Sequence, residues 1–456
     1  MLDHRPRPDA VTASLLIFRH RFAACVGILA MLIATPAVIA QSPSASNTMA
    51  PEQLVEQVPQ ENAGLAAMHA AVDAARARVG PASALPDPQL RVTTAPRTFD
   101  GFTTPAGERR GISGVIELSQ DIPWPGTLGL RSDVAQREAD AAADNVDALR
   151  LRLAAVTLEG YAQWAYVHRA LEINAANQDL VDELRRVAEN RYAAGLARQQ
   201  DVLQAEVELQ RLKKQALTLE RLKTVVCART NALLNRDADQ PLPPPVALPA
   251  PGIVPAYAAL RDHALVQHPE LAQLDKRIAA NEGRASLAKK AFYPDLKLIA
   301  RNNDYRPASE TRSEIGVAIN IPLDRSKRRA TLDAAQADTQ RMRYELQDTR
   351  ARLLADLAEA RANTEQAAAT IELYEHSLIP RTLENLSAAR SEYGAGAGAF
   401  INVITAEQLK LNAELELERA RADHFAARAA LERWTGGKIP AADTAPSPED
   451  RQLGDS

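Results

Sequence analysis

Apolar residues along this chain recur with two periods, and each period comes round twice. From 127 to 194 there is no proline and little glycine, and Val146, Leu149, Leu153 and Val156 follow the three-four spacing of a coiled-coil seam. At 1.5 Å per residue such a helix extends about 100 Å. Leu209, Leu212, Ala216, Leu219, Val226 and Leu233 predict a return helix. A second outgoing seam holds Leu346, Leu353, Leu357, Ala360, Ala367, Ile371, Tyr374 and Leu378. Its return partner holds Ala406, Ala413, Leu417, Ala420, Ala427, Leu431 and Trp434. The alanines permit close helix approach, and Pro380 is expected to kink the second outgoing helix.

The other period is two. Ile112, Ile116, Leu118 and Ile122 alternate with Ser113, Glu117, Ser119 and Asp121, and Ile315, Val317, Ile319 and Ile321 with Glu314, Gly316, Ala318 and Asn320. Candidate partner strands at 89–99 and 295–305 precede them, joined by loops at 100–110 and 306–312. Two-faced strands of this length suit a transmembrane β-barrel; soluble hairpins packed on the helices are the alternative. Four strands cannot close a barrel, and an open edge cannot face lipid. If the strands cross a membrane the chain must oligomerise, and three copies would supply twelve.

Both periods occur in the same order in each half. The segment from Tyr192 to Glu206 superimposes without a gap on that from Tyr393 to Glu407, at an offset of 201. Ile122-Pro123 matches Ile321-Pro322, and Pro86-Asp87 matches Pro294-Asp295. Between the halves, 239–255 carries seven prolines in seventeen residues, an extended linker. The chain is a tandem duplication. Each Tyr-x-x-Gly falls at a hairpin tip, where Gly195 and Gly396 suit the left-handed conformation that ends a helix. Tyr192 and Tyr393 either pack the tips or contact a partner.

Composition changes this picture little: 46% apolar, 4% aromatic and 25% charged residues fit long helices. A net charge of −4 offers no basic field for nucleic acid. The N-terminus adds an address. Arg19, His20 and Arg21 precede an apolar run from Phe22 to Ile39 that ends in Val38-Ile39-Ala40, which reads as a secretory signal over 1–40; an uncleaved anchor is the alternative. Cleavage leaves 50 basic and 56 acidic residues, a net charge of −6. Cys25 starts the apolar run and is not read as a lipidated terminus, and Cys227 is then alone. No other apolar stretch reaches transmembrane-helix length. No His-Glu-x-x-His, nucleophile elbow or phosphate loop occurs, so neither an enzyme nor a cofactor or metal site is expected.

The duplicated Tyr-x-x-Gly followed by (Asp/Asn)-Val-(Leu/Ile)-x-Ala-Glu, together with His268-Pro269-Glu270-Leu271, the Ile-Pro pairs and Ala430-Leu431-Glu432-Arg433 before Gly436-Gly437, resembles the outer-membrane factor family of TolC-like channel-tunnels. Leu85-Pro86-Asp87-Pro88 and the run from Gln120 to Gly126 further resemble its heavy-metal efflux branch. The resemblance implies an α+β membrane protein: a homotrimer with a 12-stranded β-barrel in outer-membrane lipid and a periplasmic α-helical tunnel. It implies the passive exit duct of a tripartite efflux or type I secretion system, serving a periplasmic adaptor protein and an inner-membrane pump, with the resistance-nodulation-division type one candidate. A periplasmic adaptor or a structural coiled-coil envelope protein is the alternative.

The expected organisation is a signal peptide (1–40), a spacer with a short helix (41–84), the first barrel hairpin (85–122), the first helical hairpin (123–238) and the linker (239–256). A helix opening the second repeat (257–292), the second barrel hairpin (293–323), the second helical hairpin (324–436) and a tail (437–456) follow. The resemblance makes Tyr192, Gly195, Tyr393 and Gly396 the adaptor-contacting tips. It makes Asp201, Gln204, Asn402 and Thr405 gate candidates, with Glu206 and Glu407 one turn on. The second copy lacks carboxylates where the best-known member has them.

Overall fold

The computed structural model describes residues 48–94, 114–303 and 312–439. The expected signal segment, the loop at 100–110, most of that at 306–312 and the tail beyond 439 lie outside the described residues. So do Ile112 and Ser113 of the expected strand.

Where one short helix was expected before the first strand, three occur: α1 (Pro51–Glu61), α2 (Ala63–Ala77) and α3 (Val79–Ser83). Pro51 starts α1 where its missing N–H costs nothing, and the Asn62 side chain caps α2 by accepting the Leu65 N–H at 3.0 Å. Strands β1 (Gln89–Thr94) and β2 (Gly114–Ile122) follow, then the long α4 (Thr127–Ala193) and its return α5 (Gln199–Leu233). The second half opens with α6 (Tyr257–Gln267) and α7 (Pro269–Lys290). It continues through β3 (Leu296–Asn303) and β4 (Ser313–Ile319) to α8 (Arg325–Leu373), α9 (Ile379–Ala395) and α10 (Phe400–Trp434).

A π-helical turn, Tyr374–Leu378, joins α8 to α9 immediately before Pro380. Proline has no N–H for the carbonyl four residues back, and the ladder re-registers by one residue there. The expected interruption thus takes the form of a π turn.

The seams are buried with one exception. Val146 is buried and Leu149 and Leu153 half-buried, but Val156 is exposed and Thr157 takes the inner position. A straight helix advances 3.6 residues per turn, so the stripe drifts by one position, and the Thr157 hydroxyl is satisfied by donating to Leu153 O at 2.7 Å.

Each return helix is about half as long as its outgoing partner. Near the tips α4 is flanked by α5 and α10, which share the cluster of Ala170, Ile173, Leu212, Leu219, Leu411 and Leu415. Nearer the strands shorter helices take their place. Leu65 and Val72 of α2 pack on Val146 of α4, and Leu271 and Leu274 of α7 pack on Leu346 of α8. A Cβ on Gly283 would stand 2.5 Å from Val134 Cγ2, so glycine lets α7 approach α4 closely.

The linker is strapped down across α4. The Tyr161 hydroxyl accepts the Val246 N–H at 2.9 Å and lies within donating distance of Met49 O and Val246 O, while Trp164 Nε1 donates to Pro243 O at 3.0 Å. Side chains of α4 therefore satisfy backbone groups that a proline-rich segment cannot pair in a ladder. His268 is the N-cap of α7, whose first helical position is Pro269. Burial and the Arg433 charge lower its pKa to about 4.

The four strands form one antiparallel sheet in the order β1-β2-β3-β4, with open edges at β1 and β4. The central pairing, β2 with β3, joins the two repeats. One face carries Leu90, Val92, Ile116, Leu118, Leu298, Ile315, Val317 and Ile319, all exposed, Ile315 to 92%. No helix among the described residues is long and apolar enough to cross a membrane.

Candidate functional site: the hairpin tips

Both tips close with the same backbone. At the first, Gly195 has φ +71°, its N–H donates to Tyr192 O, and the Leu196 N–H reaches back to Arg191 O at 2.8 Å. At the second, Gly396 has φ +78°, its N–H donates to Tyr393 O, and the Ala397 N–H reaches Glu392 O at 3.0 Å. This is the Schellman pattern, with glycine at the left-handed position. The two glycines do what the sequence expected of them.

The side chains differ. Tyr192 is 49% exposed, whereas Tyr393 is 6% exposed, tilted against Phe400 at 5.1 Å between ring centroids. The Arg191 guanidinium lies over the Tyr393 ring, 4.9 Å from its centroid, and donates to Gly394 O at 2.9 Å. The Tyr393 hydroxyl donates to Asp201 Oδ2 at 3.3 Å. Burial, and then the Asp201 charge, raise the Tyr393 phenol above its ordinary pKa, so it stays a donor at neutral pH. Arg191 ends α4, Asp201 begins α5 and Tyr393 ends α9: one contact set ties the first tip to the second.

Of the gate candidates, Asp201 is half-buried in the first turn of α5. The N-cap there is Arg198, which makes no side-chain capping bond. Asp201 thus favours the positive helix end by position while its carboxylate reaches across to the other tip. Gln204 is half-buried, Glu206, Asn402 and Thr405 are exposed, and the Thr405 hydroxyl bonds its own helix at Ile401 O.

Glu407, unlike Glu206, is buried: it is 2% exposed, with Lys410 Nζ 3.7 Å away and neither carboxylate oxygen hydrogen-bonded. Burial raises its pKa, opposed by Lys410 and Arg390. Among the described residues no group of three or more His, Cys, Asp or Glu side chains is placed to hold a metal.

Sequence reasoning missed Arg191 and Phe400. The signal was present in the repeat alignment: at the offset of 201, Arg191 stands where the second copy has Glu392, and Phe400 where the first has Gln199.

The model of a family described as outer membrane efflux protein matches residues 54–234 and 260–437. The alkaline protease secretion protein AprF of Pseudomonas aeruginosa is 30% identical over 193 residues, 40% of this chain and 39% of that protein. The chain therefore matches well under half the length of that relative. Among solved structures, the outer-membrane channel OprN covers 85% of this chain and 90% of its own, with a TM-score of 0.74 at 20% identity. The outer membrane protein VceC of Vibrio cholerae covers 86% and 97%, with a TM-score of 0.72 at 20% identity. These two show the shared fold. The chain belongs to the outer membrane efflux protein family.

Proposed function

We propose that three copies of this chain assemble into an export duct, a twelve-stranded barrel in the outer membrane continued by a helical tunnel whose inner entrance is formed by the tips. The sheet carries this reading. It has an exposed apolar face, a charged opposite face and two open edges, and α4 leads about 100 Å away from it to the tips. Unpaired strand edges are not tolerated in lipid, and the β1 and β4 edges of neighbouring copies supply one another's partners.

The duct carries out no chemistry. An inner-membrane pump selects and drives the substrate, and a periplasmic adaptor docks at the tips. The contact of Arg191, Tyr393 and Asp201 holds the two tips of each copy together, and its release lets the hairpins part. Three copies of Asp201 make an acidic constriction that favours cations, whereas Asn402 and Thr405 contribute no charge. The stretch shared with AprF, named for protease secretion, favours protein secretion as a second reading of the cargo.

Native mass measurement in detergent and planar-bilayer recording test the proposal together. A trimer is expected. Tyr393→Phe with Arg191→Ala raises its conductance, and Asp201→Asn reduces its cation preference more than Asn402→Ala does. A stable monomer, or a trimer that never conducts even with the tip contact removed, overturns the reading.

A further inference from the structure

On the sheet face opposite the apolar one, the charged residues stand in order. The strand register makes Arg91 the partner of Glu117, Glu117 the partner of Arg301, and Arg301 the partner of Glu314, one row across all four strands with alternating sign. Arg91 Nη1 lies 3.7 Å from Glu117 Oε1. Four residues along β2 toward α4, Asp121 is paired with Lys297 by register and by a 3.5 Å contact. The two bands hold three basic and three acidic side chains, so within these bands the charges cancel.

A pore wall of one sign concentrates the opposite ion and repels its like. Opposite charges on neighbouring strands, about 4.8 Å apart, cancel well within the screening length of physiological salt. We infer that this face lines the pore and that its alternation makes the outer-membrane stretch of the duct indifferent to the sign of a solute's charge, passing cationic, anionic and zwitterionic substrates alike. The inference rests on the duct reading and extends it: whatever charge preference the channel has is set about 100 Å away at the tips, where Asp201 stands. Glu117, between two arginines, is the residue on which the balance turns.

The test is reversal potential in a salt gradient, recorded on channels whose tip contact has been removed. Glu117→Gln leaves Arg91 without an acidic partner and the row with one excess positive charge per copy, and should raise chloride over potassium permeability about twofold or more, while Arg301→Gln should shift it the other way by a similar factor. A second measurement needs no change of charge. In a Cys227→Ser background, cationic and anionic methanethiosulfonate reagents should modify Thr93→Cys, an exposed position on the same face, in the same rate ratio as a free thiol, within about twofold.

A parent channel that conducts while both neutralised variants keep its selectivity, or a rate ratio displaced about tenfold, overturns the balanced-wall inference and leaves the duct standing. A parent that forms no pore at all overturns the duct reading, and this inference with it. If the charge variants do not insert, the thiol rates decide alone.

Discussion

The two tips share a sequence motif and a backbone but not an environment. Val403 and Ile404 in the second copy are buried, whereas Val202 is half-buried and Leu203 is 51% exposed in the first; Glu407 is buried and Glu206 exposed. The difference comes from position in the helical layer. Helix α10 lies between α4 on one side and α8 with α9 on the other, while α5 packs chiefly on α4 and leaves its far side open. The duplicated hairpins thus differ: the second tip is the more deeply packed, and the first supplies the arginine and aspartate that hold it.

Tyrosine replacement should separate the tips most sharply. Tyr393→Ala removes a buried ring, its tilted contact with Phe400 and its bond to Asp201, and should cost about 3–5 kcal/mol. Tyr192→Ala at an exposed site should stay within about 0.5 kcal/mol. Denaturant unfolding of the detergent-solubilised protein reads both, and equal losses would erase the distinction between the packed tip and the exposed one.

The glycines should instead behave alike. Gly195→Val and Gly396→Val each force a β-branched residue to positive φ, which should cost about 1–3 kcal/mol at either tip. A large disparity in their thermal shifts would mean that the shared backbone does not set the cost.

Of the two glycines that the second tip alone carries, Gly394 and Gly398, only Gly398 is closely packed. A Cβ on Gly398 would stand 2.9 Å from Glu392 Cβ and 3.3 Å from backbone atoms, while the matching position of the first copy is Ala197. Gly398→Ala should destabilise by about 1 kcal/mol or more, and Ala197→Gly by less than about 0.5 kcal/mol. Comparable melting-temperature changes for the two would contradict the tighter second turn.

The smallest contrast is electrostatic. Because the folded pKa of Glu407 is raised, the folded protein binds its proton more tightly than the unfolded chain. The stability this provides is full below the ordinary carboxylate pKa and is lost as pH rises through the folded value. Glu407→Gln should therefore raise the melting temperature by about 2 °C at pH 8 and flatten its pH dependence, while Glu206→Gln, at an exposed site, leaves the melting temperature unchanged. An unchanged pH profile after Glu407→Gln would show that the buried carboxyl is not the titrating group.

Much of the fold was legible because it rests on local pattern. The helix seams, the alternating strands and the positive-φ glycines follow from period and backbone sterics. Val156 was misplaced because the step from Leu153 was taken as three residues where the straight helix needs four, which brings Thr157 inward instead. The contact of Arg191, Tyr393 and Asp201 was not legible: it joins three helix ends from both halves, and the repeat offset that aligns Asp201 with Asn402 says nothing about Asp201 meeting Tyr393.

The sequence by itself determined the turn at each tip and the two faces of each strand, because φ preference and side-chain alternation act within a few residues. Only the tertiary structure decided which copy of the motif is inside. Burial requires neighbours on both sides of a helix, and α10 has them where α5 does not. The same Ala-Glu pair is accordingly a core element in one repeat and a half-solvated helix face in the other.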